Sequence, residues 1–426
     1  MTDEASATAQ HLSLTLADAA SVVPMAGEGP LRGPSMASVD TLSDVSIVCR
    51  DGLVESIGGP ANADVVFDAS GCTVVPGFVD PHTHLPFFGW RADEDAARLS
   101  GIRYEDVHSG GGGIFRSARL LRDATDEAVL GFASELAASM LRHGTTTFET
   151  KSGYGLSVEA ELRQLRLARE LAASIPQKVM STCLAAHAVP EGKSEGEWTA
   201  EAAEDLLPAV AAEGLASACD LYVETIAFQH EHAARLAQAA ESLGLRMRVH
   251  ADQLADNQTG AFAARWGFAS ADHLNHTSLD AVDDLAASET VAVLLPGATF
   301  TLRQGKKPPA RALIDAGAIV ALGSDLNPGT SPIHSMPFVM ALACRLYGLR
   351  PLEALAAATV NAAFVLGLHD EVGRIVPGRR ADLVVLDAAS FDAVPYRPDH
   401  DAVLAVVCGG RLVYVAPRAE ARVARH

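Results

Sequence analysis

Eight short apolar runs, separated by alanine- and leucine-rich stretches, constrain this chain more than any other feature. The runs cover residues 74–79, 145–149, 179–185, 220–226, 246–250, 269–273, 290–295 and 318–323. The first lacks polar alternation, as a parallel strand covered on both faces does. Between most of them lie helical patterns, at 126–142, 157–174, 199–213 and 230–243. In 157–174, Leu162, Leu165, Ala168, Leu171 and Ala172 recur at the spacing of one helix face, behind Ser157 as N-cap. Eight strand-then-helix units over about 250 residues predict an α/β fold, a (β/α)8 TIM-like barrel. Two last helical stretches, near 336–348 and 351–367, follow the eighth run, the second opening on Pro351.

The ends read differently. Residues 45–49 and 53–57 flank Asp51-Gly52, and 402–407 and 412–415 flank Gly409-Gly410, which is hairpin chemistry. Residues 381–386 add another strand pattern. These ends predict one small β-sandwich module built from 1–75 and 376–426, with a catalytic barrel at 76–375; two unrelated flaps are the alternative. The run Gly110-Gly111-Gly112-Gly113 marks a flexible or ligand-approaching loop, because it lacks the spacing and preceding strand of a dinucleotide fingerprint.

Composition narrows the partners. Hydrophobic residues are 49% of the 426, ample for a large core, and the formal net charge is −20. That charge argues against nucleic acid and anionic membrane, and an anionic substrate would need a local cationic clamp. The six cysteines (Cys49, Cys72, Cys183, Cys219, Cys344, Cys408) are scattered and read as buried reduced thiols. Met1 to Gln10 is acidic and polar, and no apolar run approaches ~18 residues, so the expectation is a cytoplasmic protein.

In a (β/α)8 barrel the chemistry sits at the C-terminal ends of the strands. The first run leads into His82 and His84, two apart and therefore on one side of an extended backbone. The second leads to Lys151-Ser-Gly-Tyr-Gly155, the third to His187, and the fourth holds Glu224 near its end. The fifth ends in His250-Ala-Asp-Gln253, the sixth in Asp272-His273, and the eighth in Asp325-Leu-Asn-Pro-Gly-Thr330. His82, His84, His250 and Asp325 make a mononuclear site for zinc or iron with room for water. His82 and His84 alone read equally as two polar residues in a loop after a strand, and His250 or Asp325 taken singly reads first as a polar group satisfied in the core.

These residues carry a family resemblance. Residues 76–84 (Pro-Gly-Phe-Val-Asp-Pro-His-Thr-His), the later histidines and aspartate, and Pro377-Gly-Arg-Arg-Ala-Asp-Leu383 resemble the metal-dependent amidohydrolase superfamily. Within it the chain is most similar to the imidazolonepropionase family of histidine degradation, through residues 144–156, 184–187, 250–253, 294–298 and 324–332. The likeness implies hydrolysis of the cyclic amide of 4-imidazolone-5-propanoate to N-formimidoyl-L-glutamate. It implies one divalent or trivalent ion, zinc or iron, on His82, His84, His250 and Asp325. It places Arg91, Tyr154, His187, Gln253, Asn327, Gly329 and Thr330 around the substrate. It leaves as alternatives a sister enzyme for another five-membered cyclic amide, or a deaminase of a related heterocycle.

Chemistry makes sense of these assignments. A bound metal lowers the pKa of water from ~15.7 toward ~7. Asp325 suits a general base that passes the proton to the leaving ring nitrogen, and His273 suits a donor to the developing oxyanion. Arg91 fits the propanoate carboxylate, or instead pairs with Asp93, Glu94 or Asp95. Tyr154 and His187 have packing as their alternative, and Asn327 a turn role before Pro328. Gln253 stands where many deaminases of the superfamily have a proton-shuttling Glu, which favours ring opening. Glu224 stands where binuclear members have a bridging lysine, which favours one metal. Trp90 departs from the acidic residue usual before the arginine and bears on the choice of substrate. His108, His143, His230, His232, His276 and His334 read as non-catalytic. A homodimer is the expected assembly.

Overall fold

The computed structural model describes residues 13–59, 62–102 and 111–426. His108, Gly110 and the N-terminal segment to Gln10 lie outside them. Eight parallel strands follow one another in chain order around a single sheet. They are β1 (Phe78–Asp80), β2 (Thr145–Lys151), β3 (Lys178–Ala186), β4 (Ala218–Val223), β5 (Arg246–Ala251), β6 (Ser270–His273), β7 (Val291–Leu294) and β8 (Val320–Leu322). Most of their residues are buried, though β3 begins half-buried and β5 exposed, and β2 is polar in composition. The sheet closes past its ordinary strand ends. Thr83 bridges Leu326, the Asp325 amide donates to the His82 carbonyl at 3.0 Å, and His84 N to Leu326 O at 2.9 Å. The residues that join β1 to β8 are thus the residues expected to hold the metal.

Helices cover the outside. Asp126–Arg142 and Val158–Ser174 begin where expected, with the Thr125 and Ser157 hydroxyls each accepting a first-turn amide. The stretch 199–213 is not one regular helix: a π turn at Ala202–Leu206 separates Glu195–Glu201 from Leu207–Ala212, just before Pro208, which has no amide to donate. The stretch 351–367 is likewise two helices, Pro351–Ala357 and Val360–Leu366. Among the described residues no helix is long and apolar enough to cross a membrane.

Two five-stranded sheets flank the barrel, each drawing strands from both ends of the chain. One orders Val423–Arg425, Val65–Asp68, Leu14–Ala19, Val45–Arg50 and Leu53–Ile57. The other orders Arg411–Val415, Val403–Cys408, Leu383–Leu386, Thr73–Pro76 and Ser21–Val22. They share a core of Leu16, Ile47, Phe67, Val74, Leu383 and Val385. Alternation sends the neighbours Val75, Val384 and Val406 the other way, into the core beneath the barrel.

One expected strand divides as well. The apolar run 74–79 is not a single strand: Thr73–Pro76 pairs antiparallel with Leu383–Leu386, and only Phe78–Asp80 enters the barrel. Gly77 makes the handover, giving its amide to Asp382 O at 2.8 Å, where a Cβ would overlap the Thr146 side chain. Two other strands end later or sooner than expected. Lys151 is the last residue of β2 instead of lying beyond it, and Glu224 falls just outside β4.

Candidate active site

At the C-terminal rim, His82 and His84 follow β1, His250 lies in β5, His273 ends β6 and Asp325 follows β8; all five are buried. His82 Nδ1 meets Asp272 Oδ2 at 2.6 Å, and His250 Nδ1 meets Asp220 Oδ1 at 3.2 Å. A carboxylate behind Nδ1 fixes ring and tautomer and turns Nε2 forward. Among the described residues both Nε2 atoms are buried without a hydrogen-bond partner. Asp325 Oδ1 lies 3.5 Å from His82 Nε2 and 3.3 Å from His84 Nε2. Two overlapping groups therefore bring ligand atoms within 4.8 Å of one another: His82, His84 and Asp325, and His82, His250 and His273. Burial pushes the imidazoles of His82 and His84 well below their usual range, with neighbouring cations adding to it. Neutral imidazoles, orphaned nitrogens and one carboxylate are what a mononuclear zinc or iron site requires.

His273 is closer to this group than a distant acid would be. Burial pushes its pKa down to about 3, against the pull of Asp325, whose own carboxyl is raised by burial. The strand ends here are backbone-strained: Asp252, His273, Leu274 and Asp325 all hold left-handed φ, between 50° and 79°. Such non-glycine positions cost on the order of 1–3 kcal/mol each and collect at functional sites.

Beneath the imidazoles lies a layer of charge that the reading of strand ends alone passed over. Glu149, Lys151, Asp220, Arg248 and Asp272 are buried inside the barrel and joined by ion pairs of 2.7–2.9 Å. Their signal was in the sequence: polar residues at every second place within apolar strands, Glu149/Lys151, Arg248/His250 and Ser270/Asp272, point to one side and hence into the barrel. Burial alone would raise the Asp220 carboxyl, but Lys151 and His250 hold it well below the usual range. Glu224 is elsewhere engaged, accepting Leu254 N at 2.7 Å and Asn257 Nδ2 at 2.8 Å, so it braces the loop after β5.

Above the histidines a narrow cavity is walled by Arg91, Tyr154, His187, Gln253, Asn327 and Thr330. Ile114 and Tyr222, which the sequence did not single out, complete it. Arg91 is buried with Nε and Nη1 lacking hydrogen-bond partners among the described residues, and Glu94 stands 3.5 Å from Nε. Of the three acids expected to compete for Arg91, only Glu94 approaches it; Asp93 pairs with Arg116 and Asp95 with Arg98. Gly329 lies under the guanidinium instead of facing the cavity; a Cβ there would overlap it.

His187 Nδ1 meets Gly153 O at 3.0 Å, and its ring stacks on His84 at 5.2 Å. Tyr154 packs against both. Asn327 is occupied by its own turn, with Oδ1 accepting from Gly329 N, Thr330 N and Thr330 Oγ1 at 2.7–3.0 Å. Trp90 does not line the cavity. It packs edge-on to Phe87 and Phe132 and is 37% exposed. None of His143, His230, His232, His276 or His334 lines it either.

Comparison with known proteins finds relatives along nearly the whole chain. The amidohydrolase family matches residues 73–413. An imidazolonepropionase of Symbiobacterium thermophilum is 42% identical over 416 residues, 94% of this chain and 97% of its own. One from Rubrobacter xylanophilus is 41% identical over 411 residues, 94% and 98% of the two chains. Among solved structures, an adenosine deaminase from Xanthomonas campestris with bound zinc superposes with a TM-score of 0.68 at 18% identity, covering 94% of this chain and 93% of its own.

Proposed function

The chain belongs to the amidohydrolase family, within its imidazolonepropionase branch, and from that premise we propose how its residues open the ring of 4-imidazolone-5-propanoate. The activity is hydrolysis of the cyclic amide to N-formimidoyl-L-glutamate, a step of histidine degradation, and it depends on a metal. His82, His84, His250 and Asp325 hold a single ion, zinc or iron. The observation that carries this is the pair of orphaned Nε2 atoms on His82 and His250, each backed by a carboxylate, with Asp325 Oδ1 beside His82 and His84. When bound, such an ion supplies Lewis acidity, polarising a carbonyl and making water acidic near neutral pH.

The rest falls to the protein. Asp325 orients the attacking water and takes its proton. The water oxygen bonds to the amide carbon, His273 Nδ1 donates to the oxygen as charge develops there, and the C–N bond breaks as Asp325 returns the proton to the ring nitrogen. A raised carboxyl pKa suits Asp325 to both halves of that transfer. Arg91 takes the propanoate carboxylate through its guanidinium, with Nη1 the donor left without a partner among the described residues, Tyr154 and His187 flank the ring, and Gln253 hydrogen-bonds it without exchanging protons. Asn327, Gly329 and Thr330 shape the wall beside the carboxylate and seat Arg91. A cytosolic setting fits the free cysteines, five of six buried.

The test is loss of imidazolone absorbance on adding purified enzyme, with metal content measured on the same sample. His82→Ala is expected to lose metal and activity together, and chelation of the parent to remove activity that zinc or iron restores. Full turnover in metal-free protein overturns the assignment, and release of ammonia points to deamination instead.

A further inference from the structure

The buried charges beneath the histidines form a connected device. Glu149 Oε1 accepts from two cations at once, Lys151 Nζ at 2.7 Å and Arg248 Nη1 at 2.8 Å. Each cation then grips one carboxylate: Lys151 takes Asp220 Oδ2 at 2.8 Å, and Arg248 takes Asp272 Oδ2 at 2.9 Å. Each carboxylate grips one imidazole, Asp220 that of His250 and Asp272 that of His82. The second Glu149 oxygen receives the amide of Thr83, the residue between His82 and His84, at 3.3 Å. One glutamate thereby references three of the four ligand positions to a common point.

Stability does not account for this layer. Replacing a buried ion network by packed hydrophobic side chains is often neutral or stabilising, whereas removing one member is costly. The side chains of Glu149, Lys151, Asp220 and Asp272 have no exposure at all, and Lys151 is not among the residues lining the cavity. Lys151 therefore touches no substrate. Its ammonium sits among three carboxylates, Glu149, Asp220 and, at 3.9 Å, Asp272. Three carboxylates converging on one point are a cage that attracts a hard divalent ion.

We propose that Glu149, Lys151 and Arg248 are an ionic positioning layer for the metal ligands, and that Lys151 fills the carboxylate cage that a second metal ion would otherwise occupy. The proposal rests on the assignment of His82 and His250 as ligands. Two cations stand against three carboxylates, leaving one negative charge behind the imidazoles, which favours a single cation in front of them. The Lys151 amine, donating to two carboxylates, has no room to bridge metals itself. The lysine of the Lys-Ser-Gly-Tyr-Gly stretch is a resident counter-ion that keeps the centre mononuclear.

The experiment is equilibrium dialysis of the metal-free full-length enzyme against zinc, reading stoichiometry by elemental analysis and affinity by competition with a chelator. The parent is expected to take one equivalent. Lys151→Ala is expected to take two, with the first bound ten- to a hundredfold more weakly, the usual cost of disturbing the groups behind metal ligands. A single equivalent in Lys151→Ala overturns the exclusion of a second ion, and an unchanged first affinity overturns the positioning. Should Lys151→Ala not fold, the charge-balanced pair Glu149→Gln with Lys151→Met removes both members of one ion pair. It is expected to bind one zinc ten- to a hundredfold more weakly, and parent-like affinity overturns the proposal. A parent that binds no zinc or iron refutes the ligand assignment; a parent that binds two refutes only the exclusion.

Discussion

Substrate choice turns on Arg91, and the structure shows what holds it. Its amide donates to Pro328 O at 2.9 Å and its side chain lies across Gly329, so the arginine is seated on the loop after β8. Glu94, one helical turn on, approaches Nε while both its oxygens accept Gly113 N at 3.2 Å. The carboxylate absent from position 90 is thus supplied from 94, and Trp90 is free to pack on Phe87 and Phe132. Arg91→Ala is expected to raise KM for the propanoate substrate roughly 30- to 150-fold, the ~2–3 kcal/mol of a charge-assisted pair. Gly329→Ala should do nearly the same with kcat preserved, since its Cβ displaces the guanidinium without touching the histidines. Steady-state kinetics with and without the propanoate tail check both: a tail-less imidazolone affected equally removes the clamp role from Arg91. Trp90→Asp, by contrast, should leave KM within about twofold, because the residue faces away from the cavity.

The element most worth testing is the turn after β2. Glu161, one turn into the helix Val158–Ser174, sends its buried carboxylate back to accept Gly153 N and Gly155 N at 2.7 Å and Leu156 N at 2.8 Å. Gln164 adds Tyr154 N at 3.0 Å and donates to Pro86 O at 2.8 Å. The two glycines do not merely free Tyr154: Gly153 holds φ +104°, and Gly155 has the Glu161 backbone where a side chain would begin. Glu161→Ala leaves one buried and two half-buried donors unpaired and is expected to cost about 3 kcal/mol, read as a drop in the denaturation midpoint. Glu161→Gln, which can still accept, should cost less and raise KM through a looser Tyr154. Equal effects of the two would show that volume, not acceptance, matters.

The strand order, the rim histidines and the paired ends were legible because apolar continuity and Gly/Pro punctuation are local signals. The alternation that builds the charged layer was legible, but its pairings, the Glu161 clamp and the choice of Glu94 among three acids were not, since each depends on where a side chain meets backbone or charge in the folded chain. The run 74–79 misled for a related reason: unbroken hydrophobicity hid a change of sheet that only the Gly77–Thr146 packing reveals.

At the scale of the molecule, the strand Leu383–Leu386 decides whether module and barrel are separable. Val385 and Leu383 belong to the sandwich core while Val384 and Leu386 belong to the core under the barrel, so neither core is complete without the same strand. The barrel's first strand also hangs from this sheet through Gly77. Cooperative unfolding of both parts follows, and the cysteines report it. Cys49 and Cys72 sit in the sandwich core, Cys183 and Cys219 in the other. Burial pushes the Cys49 thiol up to about 12 and raises those of Cys72, Cys183 and Cys219 as well. A raised pKa keeps the thiol protonated, so at pH 8 about one Cys49 in ten thousand is thiolate in the fold, against about a quarter for an unfolded cysteine. Brief labelling with a thiol reagent at rising temperature should therefore leave Cys49 and Cys219 silent and then expose them at one common midpoint. Labelling of Cys49 well below the midpoint for Cys219 would mean that the sandwich opens on its own, and that sharing a strand does not couple the two cores.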